Sequence, residues 1–184
     1  MKQIYFITTN DYKFKRFTES AKLTGFNVQQ LKEETPEIQA ANNREVAEYS
    51  ARWAAEKFQR PVLKEDVGVY TDAYKGFPGP YLSQVEKQLE TDGFLRLLTE
   101  VADRSAYWEY AIAYCEPGKE PVSFYTQHRG TYATEARGQS GWYTDKLFIP
   151  EGQPKTVAEL LDSNEYVRDE QHYALLKEYL SKIV

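Results

Sequence analysis

The chain reads as an α/β protein. A short β-prone run, Gln3 to Ile7, leads directly into an amphipathic helical segment. A second apolar run, Pro61 to Leu63, follows a long alanine-rich helical stretch. Two further strand-like runs, Tyr107–Tyr114 and Val122–Tyr132, lie on either side of a turn at Glu116–Glu120. Strands interleaved with helices bury their apolar faces by forming a sheet covered with helices.

After the first strand, Thr8, Thr9 and Asn10 are turn and N-cap residues. They open a helix predicted over Asp11–Leu23, with Phe14, Phe17, Ala21 and Leu23 on its apolar side. Free backbone N–H groups at a helix start attract phosphate, and Lys13 in the first turn adds a full charge. No glycine-rich loop accompanies them, so an ordinary capped helix with Lys13, Lys15 and Arg16 on its wet face accounts for the same residues. A short apolar segment, Phe26 to Leu31, then precedes Glu33-Glu34-Thr35-Pro36-Glu37. Pro36 forces Thr35 out of helical conformation, which puts Glu37 on a loop or strand end. Arg44–Phe58 is helical by the spacing of Ala47, Ala51, Ala54, Ala55 and Phe58.

The stretch from Pro61 to Tyr81 carries the chemistry. It delivers two adjacent carboxylates, Glu65 and Asp66, at what reads as the end of a buried strand, followed by Gly68 and the turn Gly76-Phe77-Pro78-Gly79-Pro80. Carboxylates there are costly to desolvate unless paired. Mg²⁺ with substrate phosphates is one partner, since that ion uses one or two carboxylates and keeps its other ligands from phosphate and water. Two solvated acids where a strand meets the surface is the other reading. Helices are expected at Tyr81–Gln88, Asp92–Val101, Val157–Leu161 and Glu165–Lys182. Phe124, Tyr125 and Tyr132 read as core and edge packing.

Composition narrows the class. The 184 residues suffice for one domain with a core, here taken as residues 1–184. A net charge of −5 argues against a nucleic-acid polymer bound through a broad basic face. The single cysteine, Cys115, permits no intramolecular disulfide and reads as core filler in a cytoplasmic protein. No signal peptide or long apolar span is seen, so no membrane association is expected. His128 and His172 are too few for a histidine-rich metal site.

The order Thr-x-Asn-x-x-Lys, Pro-Glu-x-Gln, Glu-Asp-x-Gly and Gly-Phe-Pro-Gly-Pro-Tyr resembles the inosine triphosphate pyrophosphatase family, the noncanonical purine nucleoside triphosphate pyrophosphatases. The likeness continues through Arg52–Lys57, Tyr110–Glu116, Arg129-Gly130-Thr131, Arg137-Gly138, Phe148–Gly152 and Lys155–Leu160. It implies an elongated mixed central sheet flanked by helices, two lobes with a substrate cleft between them, and a homodimer. It also implies hydrolysis of a nucleoside triphosphate to monophosphate and pyrophosphate with Mg²⁺. By position, Glu37 and Asp66 would be metal ligands, and Asp66 the proton acceptor with Glu65 assisting. Thr8, Thr9, Asn10 and Lys13 would hold the phosphates. Phosphoryl transfer needs positioning and charge neutralisation more than covalent chemistry, which suits such a set.

The departures cluster by role. A helix lysine that the family aims at the phosphates is Ser50 here, an acid one turn after the phosphate lysine is Arg16, and a hydroxyl residue after Glu-Asp is Val67. At the base-reading end, Gly141–Lys146 keeps an aromatic at Trp142 and an acid at Asp145, but a glycine between them is Tyr143. The family's C-terminal Ser-His-Arg is missing; Arg168 and His172 are the candidates to reach the pocket. The expectation is nucleotide-pool sanitation with altered base preference. The alternative is a catalytically weak member that binds a nucleotide or a partner.

Overall fold

The computed structural model describes residues 2–183. In chain order it contains β1 (Lys2–Ile7), α1 (Asp11–Ala21), β2 (Phe26–Leu31), α2 (Asn43–Phe58), β3 (Val62–Thr71), β4 (Pro78–Gly79), α3 (Leu82–Leu97), β5 (Ser105–Cys115), β6 (Val122–Tyr132), β7 (Phe148–Pro150), α4 (Val157–Asp162) and α5 (Gln171–Ser181). All strands join one mixed sheet in the order β2-β1-β3-β5-β6-β7, with β4 paired to β3. This is the mixed α/β class the alternation predicts.

The chain divides into two compact units. The first holds the residues up to Asp66, then Tyr110–Thr126 and the residues from Glu170 on; the second holds Val67–Glu109 and Gln127–Asp169. Strands β3, β5 and β6 contribute residues to both.

In the first unit, strand alternation sorts side chains onto two faces. Ile4 and Phe6 of β1, Leu63 of β3, and Ile112 and Tyr114 of β5 pack with Phe17 and Ala21 of α1 and Tyr173, Leu176 and Leu180 of α5. The intervening residues, Ile7, Val62, Ala111, Ala113 and Cys115, pack on Ala47, Ala51, Ala54 and Ala55 of α2. The alanine stripe lets α2 lie close to the sheet. Asn10 caps α1 as the sequence suggests, accepting from the Lys13 backbone N–H at 3.0 Å, and Asn42 caps α2 in the same way, accepting from that of Glu45 at 3.0 Å.

In the second unit, aromatic rings form much of the packing. Tyr70 and Tyr107 stack at 4.8 Å with planes 2° apart. Tyr132 lies tilted to Phe94 at 5.8 Å and edge-on to Phe148 at 6.1 Å. Its hydroxyl is 3.2 Å from Thr71 Oγ1. Tyr132 and Phe124 bear out the core-packing expectation, while Tyr125 is exposed beneath the Arg44 guanidinium.

Three element boundaries differ from the sequence reading. Strand β3 does not end at Glu65 and Asp66 but runs on to Thr71, because its distal half pairs with β4 through Val69 and Tyr70. The two helices expected at 81–101 form one element interrupted at Glu90, which adopts φ 53°. The helix expected from Glu165 begins only at Gln171. Asn164 takes φ 54°, and the N–H groups of Glu165 and Tyr166 turn back to the Leu160 carbonyl at 2.8 and 3.2 Å. This seals the end of α4, and the chain restarts as a helix only at Gln171.

Candidate active site

Register brings three sequence segments level. In the parallel trio β2-β1-β3, Ile7 pairs with Leu31 and Phe6 with Leu63. The turn Thr8–Asn10, the loop after Leu31 that carries Glu37, and Lys64–Asp66 therefore all leave the same carboxyl edge. Parallel α/β sheets bind ligands at that edge. The β1–β3 register runs through Phe6 and Leu63, and just beyond it Lys13 Nζ reaches in to donate to the Glu65 carbonyl at 3.3 Å. Thr8 is buried, and its Oγ1 accepts from the Asn10 N–H at 3.1 Å, setting the turn that caps α1. Thr9 is exposed and Asn10 half-buried.

Alternation along β3 separates the two acids. Glu65 shares the Leu63 face, toward α1 and α5; Asp66 shares the Val62 face, toward α2. Glu65 is fully buried there. It accepts from the Arg16 guanidinium and from Tyr173 Oη at 2.8 Å, with His172 Nε2 3.6 Å and Lys13 Nζ 4.0 Å away. Burial alone would raise its carboxyl, but the Arg16 charge, the nearby His172 ring and the Lys13 charge outweigh it and hold Glu65 well below the usual carboxylate range. Arg16 is thus no wet-face cation: its guanidinium is largely buried, bonded to Glu65 and to Tyr173 Oη at 2.9 Å. Its charge faces the inverse charge at the strand below, a pairing visible only once α1 is laid on β3. His172, also fully buried, stacks on Tyr110 at 5.8 Å.

Asp66 has a different environment. It is half-buried and accepts from the Asn43 side-chain amide at the start of α2. Burial pushes its carboxyl up; Lys13, the Asn43 hydrogen bond and Lys64 pull it down, while Glu37 pushes it further up. Glu37 itself is exposed on its loop, and its negative charge acts on Asp66. The loop itself is tied down by Ser50: the residue where the family resemblance implied a lysine is fully buried in α2 and donates to the Pro36 carbonyl at 3.2 Å.

Asp66 and Glu37 are hard oxygen donors on segments that leave the same edge, and the charges of Lys13 and Lys64 act on Asp66. Among the described residues no group of three or more His, Cys, Asp or Glu side chains forms a metal cage. A donor set of two carboxylates fits Mg²⁺, which takes its remaining ligands from phosphate and water; it does not fit a metal held entirely by protein. Lys64 went unnoticed in the sequence, where it looks like one more strand residue. The available signal was a charged side chain within the apolar run, two positions before Asp66 and so on its face.

The residues expected at the base lie in the second unit. Trp142 is exposed, and its N–H donates to Asp145 Oδ2 at 2.8 Å, while the Asp145 N–H donates to the Trp142 carbonyl at 3.1 Å. Gly141 precedes them at φ 83°, and a Cβ there would stand 2.5 Å from Asp145 Oδ2, so only glycine fits. Asp145 is buried, which raises its carboxyl; the Trp142 hydrogen bond and the charge of Arg168 lower it. Trp142 and Asp145 are thus brought together, and the Arg168 charge acts on Asp145 from the irregular chain before α5 rather than from the helix expected for it.

Glu86 of α3, another residue the sequence reading missed, fixes this turn. It is buried and accepts from both the N–H (3.0 Å) and the hydroxyl of Thr144. Glu86→Ala is expected to destabilise the protein by about 1–3 kcal/mol, because two buried donors lose their acceptor. Glu86→Gln keeps an acceptor oxygen. Burial raises the Glu86 carboxyl, so its charged form is penalised in the fold. The glutamine variant should therefore match or exceed the parent in urea at neutral pH, and the gap should close as pH falls through the raised folded-state value and be gone below the ordinary 4.5. A glutamine variant as unstable as the alanine one would remove Glu86 from this role.

Comparison with known proteins agrees with this geometry. Residues 4–175 match the model of the Ham1 family. The chain is 38% identical over 158 residues to a dITP/XTP pyrophosphatase of Methanopyrus kandleri, covering 86% of this chain and 84% of that one. It is 39% identical over 160 residues to the corresponding protein of Ignicoccus hospitalis, covering 86% and 85%. The solved structure of a HAM1 protein from Coxiella burnetii superposes with a TM-score of 0.85 at 25% identity, covering 99% of this chain and all of that one. The chain belongs to the Ham1 family.

Proposed function

We propose that this protein is a nucleoside triphosphate pyrophosphatase of nucleotide-pool sanitation. It hydrolyses aberrant purine nucleoside triphosphates to the monophosphate and pyrophosphate. The observation that supports this best is that the segments carrying Glu37, Asp66, Lys13 and a helix N-terminus all leave the carboxyl edge of three parallel strands. Water adds to phosphorus, the bond to the leaving pyrophosphate breaks, and the proton of the water passes to Asp66. Asn43 orients the Asp66 carboxylate toward that task. Lys13 and the capped start of α1, with Thr8, Thr9 and Asn10, hold phosphate oxygens. Glu65 assists as a positioning residue: from the opposite face it anchors Lys13 and Arg16. Glu37 and Asp66 would hold Mg²⁺, which when bound draws charge from the phosphate oxygens.

The chain works in this reading as one catalytic domain over residues 1–184, in the cytoplasm and as a homodimer. Among the described residues no helix is long and apolar enough to cross a membrane. The relatives named above are dITP/XTP pyrophosphatases. Here Trp142 stacks on the base while Asp145 and Arg168 meet its edge, without the Ser-His-Arg donors. Selectivity for a carbonyl comes from positioned donors, so discrimination should be weaker than in the family at large.

The test is pyrophosphate release from inosine, xanthosine, guanosine, adenosine and pyrimidine triphosphates, compared as kcat/KM on one preparation. A strong preference for the inosine and xanthosine forms over the adenosine form would refute the broadened selectivity. Release from none of them would favour a catalytically weak binding module instead. Trp142→Ala should weaken all nucleotides alike, by about 1–3 kcal/mol, since stacking tolerates every base. A loss confined to one base would contradict the stacking role.

A further inference from the structure

Lys64 has no role in the mechanism above, yet its surroundings are unusual for a lysine. It sits in β3 between buried Leu63 and buried Glu65 and is itself half-buried. By alternation its side chain shares the α2 face with Asp66, two residues on. Its Nζ donates to a neutral hydroxyl, Thr35 Oγ1, at 2.8 Å. Thr35 belongs to the same loop as Glu37, so the lysine is steered to the carboxyl edge. Among the described residues no carboxylate lies within ion-pair distance of it, although Asp66, Glu37 and Glu65 all act on its charge. Lys13 Nζ reaches the same stretch of β3, at the carbonyl of the next residue, Glu65, 3.3 Å away.

A half-buried lysine normally ends on a carboxylate, because an unpaired charge there is costly. This one stands in a group of acids, pairs with none of them, and keeps donors free beyond the one given to Thr35. Lys13 and Lys64 thus arrive at one stretch of β3 from α1 and from the strand itself. An anion with several oxygens would engage both lysines together. The charge layout points the same way. Glu65 is matched by Arg16 on the far face, while Glu37 and Asp66 face the divalent cation of the reaction proposed above. Lys13 and Lys64 then present two positive charges to a polyphosphate.

We propose that Lys64 is a second phosphate-binding cation of this site, which together with Lys13 grips the triphosphate and the pyrophosphate leaving group. The inference rests on the reaction proposed above, but it can be measured without turnover. The probe is inorganic pyrophosphate, titrated calorimetrically into the unmodified protein and into Lys64→Met, each with Mg²⁺. Loss of a charge-assisted hydrogen bond should weaken pyrophosphate by about 10- to 100-fold. Inosine, which has no phosphate, should bind unchanged, and Lys64→Arg should recover part of the loss. Lys15→Met, an exposed helix charge paired only with Glu19, controls for net charge and should leave pyrophosphate affinity where it was.

A purely structural role predicts otherwise. If Lys64 only shapes the acidic pair, its loss should change Mn²⁺ affinity, read by electron paramagnetic resonance on the nucleotide-free protein, as much as pyrophosphate affinity. Such parallel loss overturns the proposal, and so does unchanged pyrophosphate affinity. Should Lys64→Met fail to fold, Lys64→Gln carries the same comparison. A parent protein that binds pyrophosphate through Lys64 but hydrolyses no triphosphate would overturn the catalytic reading and leave the lysine's role standing.

Discussion

Asp66→Asn is expected to cut pyrophosphate release by about 10²–10⁴-fold, the range typical of losing a general acid–base group. The fold should survive. Asparagine keeps the shape and an oxygen that accepts from the Asn43 amide. Burial raises the Asp66 carboxyl, so its charged form is disfavoured in the folded protein above the ordinary value of 3.8, and its removal relieves that penalty at neutral pH. The variant should therefore melt no lower than the parent while losing activity, a dissociation typical of functional residues. The measurement is kcat on inosine triphosphate with saturating Mg²⁺ beside a thermal melt. A folded variant with near-parental kcat would exclude Asp66 as the proton acceptor.

The origin of that contrast shows how much was legible in the chain. The class of fold, the order of strands and helices, and the segments at the site could be read because each is local: a cap before a helix, a proline before an acid, an alanine stripe. The site residues proposed from the sequence fall in two groups, Thr8 to Lys13 with Glu37, Glu65 and Asp66, and Trp142 with Asp145 and Arg168. The structure sets Lys13 against Glu65 and Trp142 against Asp145, with the charges of Glu37 and Arg168 acting on Asp66 and Asp145. Four features were not legible. Glu65 and Asp66 read as a pair because they are adjacent, but a strand sends neighbours to opposite faces, and that mattered only once β3 proved to continue past them. Arg16 read as solvated because its partner is 49 positions away. Glu86 and Lys64 were passed over because each acts through a residue on another element, Thr144 and Thr35. In each case the missing information was tertiary, a partner remote in sequence.

The Arg16–Glu65 pair carries the other large expected effect. Arg16→Met should destabilise the protein by about 3–5 kcal/mol at neutral pH, the usual cost of stranding one partner of a buried pair. Methionine retains apolar bulk against Tyr110 and Tyr173, so the loss is mainly electrostatic. The pH dependence identifies the cause. In the parent, Glu65 is held below its ordinary 4.5, so the pair's contribution is fully present above that value and is lost as pH falls through the folded-state value. Without Arg16, the burial that already opposes the charge has less to overcome, and the folded carboxyl binds its proton more readily. The variant's deficit should then be greatest near neutrality and shrink as pH falls below about 4.5. Urea midpoints at several pH values measure this directly. Adding Glu65→Gln to Arg16→Met should restore much of the stability, because the stranded charge is gone while Tyr173 Oη keeps an acceptor. A deficit that is flat with pH, or a double variant no better than the single, would place the loss in packing. The pair bears on function as well, since the Glu65 carbonyl receives Lys13 Nζ. If the pair anchors that lysine, the single variant should raise KM for triphosphates while kcat falls less, and the double variant should recover the KM along with the fold.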